Sequence, residues 1–132
     1  LNLSTTKTKV RAAEAYQTKD MISHHGGFVI LDGYVYGNHG NGWTCLDLKT
    51  GKKMWSGRGV GKGSLCYADG MLYTFGERNG RAGLVTATPE GFEMKGQFSV
   101  EGRGPSWAYP VVIRGRLYLR YSDNLYCFDV KK

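Results

Sequence analysis

Cys45-Leu46-Asp47-Leu48-Lys49-Thr50-Gly51-Lys52-Lys53-Met54-Trp55 reads as a strand, a tight turn at Thr50-Gly51 and a second strand that ends on a large aromatic ring. Its first half returns near the C-terminus as Cys127-Phe128-Asp129-Val130, with Asp47 and Asp129 standing 82 residues apart. A match of that kind points to an internal repeat, and the rest of the chain supplies its other landmarks.

Phe28 to Leu31 is a continuous apolar run, followed by the turn Asp32-Gly33 and the alternating Tyr34-Val35-Tyr36-Gly37. This is the pattern of a tight hairpin. It recurs as Leu65 to Ala68, Asp69-Gly70 and Met71-Leu72-Tyr73, and again as Val111 to Ile113, Arg114-Gly115 and Arg116 to Leu119. The turn glycines Gly33, Gly70 and Gly115 lie 37 and 45 residues apart, and so do Tyr36, Tyr73 and Tyr118. First and third copies therefore stand 82 residues apart by two independent landmarks. Half of that is about 41, the repeat length of four-stranded propeller blades. Trp43 to Leu48, Leu84 to Thr88 and Leu125 to Val130 supply a third strand in each copy, and Lys53 to Trp55 and Glu93 to Phe98 a fourth in the first two.

The expected fold is all-β: a partial β-propeller of four-stranded antiparallel blades, about three blades' worth in 132 residues. Residues 1–20 would be outer strands of a preceding blade, 21–60 and 61–102 two blades, and 103–132 an incomplete last blade. Val10 to Tyr16 has the Ala and Glu content of a helix, but the repeat places it as an outer strand. A ring of four to eight blades would not close with these pieces, so other blades or other copies are expected to complete it.

Composition supports the same class. Twenty glycines against three prolines imply many tight turns, and no apolar run approaches the length that spans a bilayer. The formal charge of +7 is spread singly or in pairs at turns such as Lys52-Lys53, which argues against a nucleic-acid partner. Cys45, Cys66 and Cys127 are far apart and lack zinc spacing, so buried free thiols are expected. Leu1 to Ser4 has no signal-peptide pattern, and a start at Leu1 without Met suggests a chain that has been cut.

Leu46-Asp47-x-x-Thr50-Gly51-x-x-x-Trp55 resembles the repeat motif of the pyrroloquinoline-quinone-type, or quinoprotein-like, β-propellers. The blocks His24 to Gly37 and Gly104 to Tyr118 are similar to bacterial secreted members, and the resemblance covers about residues 21–130. It implies a periplasmic or extracellular setting and places these residues in the last blades. It also implies that Trp55 is a wedge between blades while Asp47, Gly51 and Asp129 hold strand connections. The second copy departs from the motif, with Ala87 expected in the Asp place and Phe98 as its later aromatic. Members of that family include alcohol and polyol dehydrogenases that use the quinone and Ca²⁺, assembly scaffolds of the outer membrane, and many propellers with no known cofactor.

In propellers, ligands meet residues at the start of the innermost strands. Counting back eight from the turn glycines gives His25, Lys62 and Trp107, with His24 and Tyr109 beside them. A cation, an imidazole and an aromatic plane at one mouth would suit an anionic or ring-shaped small molecule or a glycan. The alternative is that they plug the channel. Adjacent strand residues point to opposite faces, so His24 and His25 are not expected to share a metal. Most acids fall at turns, only Asp20 is expected near the channel, and no catalytic residue is expected in this chain. Gly57 to Ser64 lacks phosphate-loop spacing and reads as a flexible link. The expected role is a non-catalytic binding platform. Its alternative is the C-terminal part of a quinone-dependent dehydrogenase whose catalytic residues lie in other blades.

Overall fold

The computed structural model describes residues 2–6 and 9–131; Leu1 and Lys132, the ends of the expected first and last segments, lie outside them, as do Lys7 and Thr8. Among the described residues the fold is all-β, without a helix. Strands β1 (Asn2–Thr6) and β2 (Lys9–Ala13) form a hairpin. The first full sheet contains β3 (Phe28–Leu31), β4 (Tyr34–His39), β5 (Gly42–Asp47) and β6 (Lys53–Gly57). The second contains β7 (Gly63–Ala68), β8 (Met71–Gly76), β9 (Arg81–Thr86) and β10 (Met94–Ser99), and the third β11 (Val111–Ile113), β12 (Arg116–Tyr121) and β13 (Asn124–Asp129). Each sheet is an antiparallel meander with strands in chain order, the blade of a β-propeller.

Three identical turns set the register. Asp32-Gly33, Asp69-Gly70 and Arg114-Gly115 all have positive φ at both central residues, from 49° to 83°. That is the type I′ geometry whose twist matches the flanking strands. Glycine supplies the second position without strain, whereas Arg114 occupies a left-handed conformation that costs a side chain with a Cβ.

Local propensity loses to pairing in the opening segment: Lys9–Ala13 is a strand despite its alanines, because β1 pairs with it from Asn2↔Ala13 to Thr6↔Lys9. The strand ends before Glu14, and residues 14–27 cross the first sheet. Tyr16 donates its hydroxyl to the Leu48 carbonyl at 2.9 Å, and Met21 packs over Gly37. Asp20 pairs with Lys53 of the outer strand β6 at 2.8 Å, so it is not on the channel side where it was expected.

Two apolar cores lie between the sheets. One gathers Tyr36, Trp43, Cys45 and Trp55 of the first sheet with Val60, Leu65, Leu72 and Val85. The other joins Phe75 and Ala82 to Val100, Leu117, Leu119 and Tyr121. Burying a large apolar side chain of this kind contributes roughly 1.5 to 3 kcal/mol. The link between β6 and β7 is anchored rather than flexible: Val60 is buried, and Asn79 Nδ2 donates to its carbonyl at 3.0 Å. The first strands of the first and last sheets, β3 and β11, alternate in exposure, leaving Phe28 and Ile30 and Val111 and Ile113 open to solvent. All three cysteines are free, but only Cys45 is buried, where burial pushes its thiol up to about 11. Cys127 is exposed, against the expectation of burial, because its strand β13 is the edge of the third sheet.

Candidate functional site

The approaches to β3, β7 and β11 converge at the inner ends of the three sheets. Lys62 Nζ lies 2.8 Å from His24 Nδ1, to which an ammonium donates. His25 stands against Trp107 with ring centroids 5.2 Å apart. Four residues identified by counting back from the turns, His24, His25, Lys62 and Trp107, are thus brought together. Tyr109 is not part of this group: its ring covers Gly27, whose φ of 57° and tight contact leave no room for a side chain.

Glu77 is the residue that the sequence reading missed, having placed it among the turn acids. It is buried beneath the cluster, at 7% exposure. Lys62 Nζ approaches Glu77 Oε2 at 2.7 Å, Trp107 Nε1 donates to Oε1 at 3.4 Å, and Arg78 Nε lies 3.8 Å from Oε1. The Lys62 hydrogen bond, assisted by Trp107 and against the cost of burial, holds the Glu77 carboxyl below the usual carboxylate range. Backbone contacts fix the same unit, because Glu77 N donates to Lys62 O at 2.7 Å and Ser106 N donates to Glu77 O at 2.6 Å. The hairpin register carried the signal: β7 pairs Gly63 with Gly76, so Lys62 and Glu77 face each other one step further on.

The mouth is packed shut at its centre. The gap between His25, Lys62, Glu77 and Trp107 holds only about 10 Å³. Beside it opens a polar groove of about 450 Å³ where Arg58 and Arg78 flank the Lys62–Glu77 pair. Lys62 is paired with Glu77 at 2.7 Å, and Arg78 approaches the same carboxylate only at 3.8 Å with an 86% exposed side chain, so both guanidinium groups still line the groove, while the Trp107 ring is 57% exposed.

The histidine rings lie together, with centroids 4.0 Å apart, and not on opposite sides. The alternation argument fails because residues 24–26 form a bend and not a strand. Even so, among the described residues no group of three His, Cys, Asp or Glu side chains converges as metal ligands. Asp20 and Glu77 are engaged by lysines.

The motif residues sit away from the mouth. Asp47 Oδ1 accepts from Thr50 N at 2.7 Å and Thr50 Oγ1 at 2.6 Å, and Gly51, with φ of 71°, donates its N–H to Asp47 O at 2.8 Å. Asp129 Oδ1 accepts from Lys131 N at 3.0 Å. Trp55 faces the second sheet, donates Nε1 to Thr88 O at 2.7 Å and meets Phe92 edge-on at 5.5 Å. In the second sheet the Asp place belongs to Thr86 and not Ala87. Leu48, Ala87 and Val130 make the same bond to Gly33, Gly70 and Gly115, so Asp47, Thr86 and Asp129 are equivalent.

No protein-family model matches the sequence, and no curated protein matches it. Among the solved structures that it resembles is BamB from Moraxella catarrhalis, with a TM-score of 0.58 at 15% identity. The likeness covers 76% of this chain and 29% of BamB, so the chain spans less than a third of that protein. At that identity the likeness supports the propeller fold alone.

Proposed function

We propose that this chain is a piece of a propeller that serves as a non-catalytic binding platform, with blades at 21–60, 61–102 and 103–132 and residues 1–20 belonging to a preceding blade. Other blades or copies cover the apolar faces at Phe28 and Ile30 and at Val111 and Ile113. The observation that carries the platform reading is the Lys62–Glu77–Trp107 unit, which ties the inner ends of the sheets into a rigid rim. It leaves an exposed indole and two guanidinium groups beside a groove. Such a rim suits an acidic glycan: the ring stacks on a sugar face, and each guanidinium takes a carboxylate or sulfate as a fork. A periplasmic or extracellular setting fits such a ligand and rests on the resemblance to the quinoprotein-like propellers. No helix among the described residues is long and apolar enough to cross a membrane.

Titration with a polygalacturonate oligosaccharide, followed by calorimetry at physiological salt, tests this reading. Saturable binding that Arg78→Ala and Trp107→Ala each weaken is expected. Absence of binding overturns the glycan reading, and reduction of an acceptor dye after addition of the quinone and Ca²⁺ would favour the dehydrogenase instead.

A further inference from the structure

Between the second and third sheets lies a cleft of about 760 Å³, walled by Tyr73, Leu84 and Gly96 on one side and Leu117, Leu119 and Val130 on the other. That is the size of a small-molecule site, and its lining is largely apolar with Asp69, Gln97 and Lys131 among its polar groups. The same place between the first and second sheets has no free volume.

Strand register explains the difference. Both outer strands carry a bulge at the same point, skipping Met54 in the first sheet and Lys95 in the second. The residue after the bulge is Trp55, opposite Cys45, in the first, and Gly96, opposite Leu84, in the second. Two residues back along β5, on the same face, Trp43 pairs with Asn38; its counterpart Ala82 pairs with Phe75. Where the first interface is filled by two indoles, the second has a methyl group and a hydrogen. A Cβ placed on Gly96 meets no atom within 4 Å.

We propose that this cleft is a binding site for a flat, neutral aromatic molecule of indole size, seated where the Trp55 ring sits in the neighbouring interface. The molecule's own filler for that space defines the ligand. Trp55 gives its N–H to the carbonyl of Thr88, two residues beyond Thr86. The residue two beyond Asp129 is Lys131, which lines the cleft. The site is separate from the rim at Lys62 and Glu77 and does not depend on what binds there.

Indole itself is the probe, titrated into the full chain and followed by amide chemical shifts. The expected result is saturable, sub-millimolar binding with shifts centred on Gly96, Leu117 and Val130, and about a tenfold weakening in Gly96→Trp, which carries its own indole into the slot. A second variant, Leu119→Trp, narrows the opposite wall and is expected to weaken binding as well. Shifts spread over the surface, no saturation, or equal affinity in a folded Gly96→Trp protein would overturn the proposal. The last result would leave the cleft to a polypeptide segment or a second copy.

Discussion

The two inter-sheet interfaces of this molecule are built on the same register and packed to different degrees. Between the first and second sheets, Trp43 and Trp55 fill the space, and Trp55 is 8% exposed and bonded across to Thr88. Between the second and third, the aromatic contact has moved outward to Phe98, which is 41% exposed and meets Phe128 edge-on at 4.8 Å. A wedge placed after the bulge closes an interface; a smaller ring placed two residues later clasps only the rim and leaves a hollow behind it. Repeat proteins can thus hold one fold while one interface is packed shut and its neighbour keeps an open cleft.

The largest expected effect is at the closed interface. Trp55→Ala removes a buried ring and its hydrogen bond and should cost about 3 to 5 kcal/mol in denaturant melts. A loss below about 1 kcal/mol would show that the ring is not a wedge. Phe98→Ala, at the open interface, should cost only about 1 kcal/mol because much of its ring is already in water. Equal losses at both sites would break the comparison.

Glu77→Gln comes between these. It leaves Lys62 without its carboxylate and should cost roughly 1 to 3 kcal/mol. The pH dependence follows from the lowered pKa of Glu77. Its stabilisation is complete above the ordinary glutamate value, about 4.3, and is lost as pH falls through its own lower value. Acid melts of the wild type should therefore steepen in that window, and those of Glu77→Gln should be flatter. The smallest effect is at a turn: Arg114→Asn relieves a left-handed residue with φ of 51° and should gain about 0.5 kcal/mol by thermal unfolding.

The repeat was readable from the sequence because type I′ turns demand Gly at one position, and Gly33, Gly70 and Gly115 therefore mark each hairpin. Strand order followed from that spacing. The Lys62–Glu77 pair was within reach by counting outward from Asp69-Gly70, but Glu77 follows a strand and precedes Arg78, and it passed for a turn acid. The cleft was not legible. Asp47 is joined to its outer strand at Lys53, whereas Thr86 reaches Met94 through a connection two residues longer. That insertion hides the equivalence of Trp55 and Gly96 from any alignment by spacing and makes Phe98 look like the missing wedge.

The equilibrium stability of Gly96→Trp tests the central comparison most directly. If Gly96 occupies the slot that Trp55 fills, the new ring enters open apolar space, and denaturant melts should show a gain of about 1 to 2 kcal/mol. A loss of similar size would mean that the second interface has no room for a wedge and that the two interfaces do not share a register.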